Sequence, residues 1–147
     1  MTTKIHRSAL VPYSAHQMFE LVADIPSYPK FLPWCGGARI LSTQGDEVIA
    51  SVDIAYSGVH RTFSTRNLLQ RDKMMEIRLL EGPFSYLQGF WQFKALDEQS
   101  SKISLDLEFD VANRIVGLAL TPVFSNIANQ LVDRFHRRAA DLYGQPT

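Results

Sequence analysis

Between Ala38 and Phe109 the sequence runs with period two and is broken by short turn signals at Gln44-Gly45-Asp46, Ser57-Gly58, Arg71-Asp72-Lys73 and Gly82-Pro83. Connections of hairpin length oblige neighbouring strands to pair antiparallel, because a parallel crossover needs a dozen or more residues. Val48, Ala50, Val52, Ile54 and Tyr56 alternate with Ile49, Ser51, Asp53 and Ala55; Phe63, Thr65, Asn67 and Leu69 oppose Thr62, Ser64, Arg66 and Leu68. Met75, Ile77 and Leu79 follow against Glu76 and Arg78, then Leu87, Gly89, Trp91 and Phe93 against Gln88, Phe90, Gln92 and Lys94. Ile103, Leu105, Leu107 and Phe109 close the series, and Ser104, Asp106, Glu108 and Asp110 predict a solvated outer face. Gly89 on the aromatic face predicts a bend or a space left for another group.

After the strands the period becomes three and four. Over Asn113 to Leu142, the residues Ile115, Leu118, Ala119, Leu120, Phe124, Ile127, Leu131, Phe135 and Leu142 are expected to face the core, with Asn126, Asp133, Arg134 and Arg137 opposite. Pro122 is expected to bend or break this helix, with Thr121 capping a restart, and Gly144 and Pro146 end it. At about 1.5 Å per residue it would span roughly 45 Å, enough to cross a whole sheet diagonally.

Ahead of the strand series, Ile5 to Val11 reads as a first strand. Ser14-Ala15-His16-Gln17 then has capping-box form, with Tyr13 and Met18 placed as a hydrophobic staple. Ala15, Met18, Phe19 and Val22 make a helical stripe that Pro26 stops. From Ile25 to Cys35, Pro26, Pro29 and Pro33 allow at most a short helical turn, while Tyr28, Phe31, Leu32 and Trp34 load it with apolar surface, as in a lid or plug. The order predicts an α+β fold, a curved antiparallel sheet of about six or seven strands gripping the terminal helix, as one domain over residues 1–147.

The lone Cys35 leaves no partner for an internal disulfide and suggests a reducing compartment. The first residues lack the apolar run of a signal peptide, and no segment reads as a membrane span, so a cytoplasmic protein is expected. With 15 basic and 15 acidic side chains the net charge is +0, which gives no global field for non-specific nucleic-acid binding and leaves only local basic patches.

His6, His16, His60 and His136 show no ligand spacing, so no metal site is expected, and Cys35 reads as an inert thiol. Glycine-rich phosphate loops, zinc-protease and serine-hydrolase signatures are all missing from the sequence. No catalytic residue is nominated. The remaining constellation is apolar: Phe31, Trp34, Phe63, Leu87, Gly89, Trp91, Phe93, Leu105, Leu107, Phe124, Ile127 and Leu131 are the candidates for an internal tunnel. Such stripes usually fill a core, but a curved sheet under one long helix is expected to leave a pocket of roughly 300–1,000 Å³. Asn67, Asn126 or Asn129 could orient a ligand's head group.

The runs FELVADI (Phe19 to Ile25), YPKFLPWC (Tyr28 to Cys35), GPFSYLQGFWQF (Gly82 to Phe93) and the closing RFHRRAADLYG resemble the coenzyme-Q-binding, START-like (polyketide cyclase) family, which includes a bacterial branch of ribosome-association toxins. The resemblance covers nearly the whole chain and implies a helix-grip fold, an isoprenoid quinone such as ubiquinone as ligand, no required cofactor and no catalytic centre. It implies Tyr28, Pro29, Phe31, Pro33, Trp34, Gly82, Pro83, Phe84, Leu87, Gly89, Trp91 and Phe93 as mouth and tunnel positions. For the toxin branch it implies binding to the large ribosomal subunit, which blocks subunit joining. Three functions follow in order of expectation: a quinone or lipid carrier with transient contact at the inner membrane surface; a ribosome binder working through Arg134, Arg137 and Arg138, with Lys30 and Arg39; and an enzyme on an aromatic or polyketide substrate, for which the inward faces supply almost no titratable group.

Overall fold

The computed structural model describes residues 2–144, and Pro146 lies outside them. Strand β1 (Thr3–Val11) is followed by α1 (Ala15–Ala23) and a 3₁₀ turn over Ile25–Lys30. Six strands come next: β2 (Cys35–Gln44), β3 (Glu47–Tyr56), β4 (Val59–Gln70), β5 (Met74–Glu81), β6 (Phe84–Ala95) and β7 (Ser101–Val111); α2 (Arg114–Tyr143) closes the fold. The seven strands make one antiparallel sheet in the order β1-β7-β6-β5-β4-β3-β2. This is the helix-grip arrangement that the residue patterns predict.

Local chemistry explains the elements. Ser14 and Gln17 cap α1 reciprocally, each side chain bonding the other's backbone N–H at 3.0 Å. Ser57 and Gly58, with φ of 53° and 80°, form the tight turn whose twist suits the β3–β4 hairpin. Register shifts at Cys35/Gly37, Ile40/Ser42, Ser64/Thr65 and Phe84/Tyr86 bend their strands, and bent strands let a sheet wrap a helix.

Three expectations about α2 fail. The helix runs unbroken through Pro122. Proline frees the carbonyl of Leu118, but Pro122 and Leu118 both lie on the exposed side, where water can replace the lost hydrogen bond. The core stripe also begins later than expected: Ile115 and Leu118 are 80 % and 81 % exposed, Ala119 and Leu142 are exposed, and Leu120, Phe124, Ile127, Ala128, Val132, Phe135 and Ala139 are buried. At 3.6 residues per turn Leu118 and Leu120 stand roughly 200° apart, so one stripe cannot hold both. By length and composition α2 is also apolar enough to cross a bilayer, contrary to the sequence reading. Here its buried residues pack on the sheet, and core helices pass the same test.

Candidate binding cavity and basic rim

Two aromatic clusters fill most of the interior. Under α1, Phe19 meets Phe93 edge-on at 5.6 Å, Phe93 stacks with Trp91 at 6.2 Å, and Trp91 meets Phe135 at 5.3 Å. Under the first half of α2, Phe124 lies 4.9 Å from Phe84, 4.8 Å from Phe109 and 5.9 Å from Phe63. At the seam between them a cavity of about 90 Å³ remains. This is well short of the several hundred cubic ångströms expected, because the facing rings interlock and consume the space between sheet and helix.

Of the twelve tunnel candidates, Trp34, Phe63, Leu87, Trp91, Leu105, Leu107, Phe124, Ile127 and Leu131 line this cavity. Phe31, Gly89 and Phe93 do not. Phe31 packs edge-on to Tyr28 and Phe135 near the surface, and Phe93 lies behind Trp91 against α1. Gly89 serves the wall indirectly, since a Cβ there would come within 2.9 Å of Leu107 Cδ1.

Tyr28, which the family resemblance implies as a mouth or tunnel position, and Asn67, expected as a head-group contact, also line the cavity, as do Thr65 and Phe135, which were not expected there. The inward phase of Thr65 and Asn67 was readable from the alternation; Thr65 was passed over because a polar residue on an inner face looks like an exception. Thr65 Oγ1 donates to Asn67 Oδ1 at 3.1 Å. Asn126 instead bonds the Tyr56 hydroxyl, and Asn129 accepts from Arg7 Nε at 2.9 Å, on the β1 side.

The cavity wall carries no acidic or basic side chain among the described residues. Its one phenol, Tyr28, donates to the Val22 carbonyl, and burial, then the neighbouring Cys35 and Asp24, push its pKa well above the ordinary value. Nearby, Cys35 donates to the Gly37 carbonyl at 3.3 Å, and burial raises its thiol.

Outside, the second half of α2 carries the basic candidates. Arg137 is exposed, Arg134 and Arg138 are half-buried, and the Arg138 guanidinium lies over the Phe31 ring at 5.1 Å. None of the three pairs with a carboxylate among the described residues. Lys30 is exposed, whereas Arg39 pairs with Asp53 at 3.3 Å on β3.

One cluster escaped the sequence. His16 and Glu20, one turn apart on α1, and Asp72 from the β4–β5 turn bring possible ligand atoms within 4.8 Å of one another. His16 already bonds Asp72 at 2.8 Å and Arg71 sits 3.8 Å from Glu20, so these exposed groups partner each other.

An apolar cavity under a long helix gripped by an antiparallel sheet defines a START-like class of protein. The chain belongs to the family described as polyketide cyclase / dehydrase and lipid transport, whose model matches residues 11–136. Within it, the chain is similar to the ribosome association toxin RatA of Pseudomonas aeruginosa, 45 % identical over 144 residues, covering 98 % of this chain and all of that protein. It is more distantly similar to the mitochondrial coenzyme Q-binding protein COQ10 homolog B of Xenopus laevis, at 23 % identity over 94 % of this chain and 58 % of that one. In fold it matches the Zhui aromatase/cyclase of Streptomyces sp. R1128, with a TM-score of 0.83 at 18 % identity over 99 % of this chain and all of that one.

Proposed function

We propose that this protein acts as the RatA relatives are named, by associating with the ribosome, and that the large subunit is its partner and subunit joining the step it blocks. The full-length similarity to a ribosome association toxin carries the reading. It ranks above quinone binding, which the sequence put first, because the coenzyme Q-binding relative is far more distant. The contact surface is the basic rim of α2: Arg134, Arg137 and Arg138 have no carboxylate partner among the described residues, and guanidinium groups suit phosphate oxygens. Lys30 adds to it; Arg39 is engaged with Asp53. A ribosomal partner makes the cytoplasm its place of action.

Sucrose-gradient profiles of purified subunits test this. The native protein should shift joined ribosomes towards free subunits, and the triple change Arg134→Glu, Arg137→Glu, Arg138→Glu should remove the effect while leaving the circular dichroism unchanged. A triple variant as active as the native protein would rule out this surface.

A second reading concerns the interior. A cavity of about 90 Å³ bordered by Trp34, Trp91 and Leu131 supports binding of a hydrophobic ligand, with an isoprenoid quinone the family's suggestion. It admits only a ring or chain end without widening, being smaller than the ~150 Å³ void that takes benzene. Organic extraction of protein made in a quinone-producing host should recover an isoprenoid, and Trp91→Ala or Leu131→Asp should lower the yield; an empty extract would remove this reading. The exposed Ile115 and Leu118 offer a foothold for passing membrane contact. The function we propose is non-catalytic, since the cavity wall lacks a group able to exchange a proton near neutral pH.

A further inference from the structure

Two hollows share one partition. Behind it lies the inner cavity; in front, beside the end of β3 and the flank of α2, is an outer pocket of about 120 Å³ lined by Tyr56, Asn126, Gln130 and Arg134. Trp34 and Ile127 line both. Trp34 is only 6 % exposed, and its indole Nε1 is the one fully buried side-chain polar atom among the described residues that meets no hydrogen-bond partner. Folded interiors carry few such groups, because an unpaired buried donor forfeits the hydrogen bond it had in water.

The outer pocket has donors to spare. Gln130 Nε2 donates to Asn126 Oδ1 at 3.1 Å and Asn126 Nδ2 donates to the Tyr56 hydroxyl at 3.4 Å, so the amides largely satisfy each other. Left over are the Tyr56 O–H and the guanidinium of Arg134, which has no ion pair among the described residues, while the N–H of the bordering Trp34 is fully buried and unpaired. Acceptor oxygens with negative charge are what this set lacks. Inward of Trp34 the wall is mostly apolar, its Thr65 bonded to Asn67, and holds no cation, so a charged head would be stranded there and a hydrocarbon end would not.

We propose that the two hollows form a single site for a monoanionic amphiphile, with its carboxylate on Arg134 at the mouth and its hydrocarbon end past Trp34 in the inner cavity. Displacing the Trp34 partition joins the hollows and gives the indole N–H an acceptor in the same movement. The planar fork of Arg134 matches a carboxylate through paired hydrogen bonds. This inference rests on the interior-binding reading above and specifies the class of ligand and its orientation.

Octanoate and the neutral chain octan-2-one serve as probes, followed by calorimetry and by the fluorescence of Trp91, which borders the cavity and remains as reporter when Trp34 is changed. Octanoate should bind roughly tenfold or more tighter than octan-2-one, the scale of a charge-assisted hydrogen-bond pair. Arg134→Gln should erase that preference and leave octan-2-one binding within about twofold, and Trp34→Phe, which keeps a ring and removes the N–H, should weaken both probes roughly three- to tenfold. Octanoate binding no tighter than octan-2-one, or keeping its preference in Arg134→Gln, overturns the head assignment. If octan-2-one binds and octanoate does not, the head assignment falls and the interior reading stands; if neither binds, both fall.

Discussion

The two ends of the interior are packed with similar rings but covered differently. At one end, the cluster of Phe19, Trp91, Phe93 and Phe135 lies under both α1 and the second half of α2, and the Tyr13 hydroxyl ties the helix end down by donating to the Gly144 carbonyl at 2.9 Å. At the other end, the cluster of Phe63, Phe84, Phe109 and Phe124 packs with the first half of α2, the part that turns Ile115 and Leu118 to solvent, and with Ile25, Leu32 and Trp34 of the proline-rich segment, while α1 contributes nothing to it. With similar ring contacts at both ends, the added layer of α1 predicts that the first end is the more firmly held. The hollow sits between them, lined by residues of both clusters.

The sharpest way to break this contrast is at its extremes. Phe135→Ala removes a ring that is 1 % exposed and touches Trp91, Tyr28 and Phe31, and should cost about 3–5 kcal/mol in urea unfolding. Leu118→Ser, on the exposed flank of the same helix, should change stability by no more than ~0.5 kcal/mol. Equal losses would mean that the open end is covered by something in solution.

Two glycines sharpen it next. At Gly82, φ is +150° and an added Cβ would come within 2.6 Å of Phe63 Cβ and 3.2 Å of its Cα, so Gly82→Ala should cost at least ~2 kcal/mol. Gly89→Ala meets only the end of the Leu107 side chain at 2.9 Å, which can swing into the hollow, and should cost about 1 kcal/mol while reducing probe binding. Calorimetric melting of the pair gives the order.

Ser14→Ala, which breaks the capping box of α1, should cost about 1 kcal/mol and speed hydrogen exchange in α1 and the second half of α2 more than in its first half. The smallest effect concerns Cys35. Burial raises its pKa above the ordinary 9.0, so the native thiol should react with a disulfide reagent more slowly at pH 8.5 than the unfolded chain does, and accelerate only at higher pH. The sign for stability follows: the contribution is complete below the unfolded pKa and is lost as pH rises through the folded one. Equal native and unfolded rates at pH 8.5 would show that the seam near Cys35 opens freely.

Much of this was legible in the chain. Strand alternation named the inward residues of β4, β6 and β7 correctly, since period two has only two faces to choose between, and the Ser14/Gln17 pair announced the start of α1. Nine of the twelve tunnel candidates border the cavity for the same reason. The phase of α2 was harder. Its first turns are apolar all round, so Ile115, Leu118 and Leu120 compete on equal terms until a sheet selects Leu120. Pro122 looked like a break because sequence cannot say that its side of the helix faces water.

The sequence by itself determined the antiparallel sheet, the capped first helix, the long last one and a basic stretch near its end, all of which depend on neighbours within a few residues. Tertiary structure alone decided how much room lies between them and which polar atoms go without partners. Free volume and an unpaired indole N–H are differences between groups brought together from distant positions, Trp34 against Ile127 and Trp91 against Phe135, and no local pattern encodes such a difference.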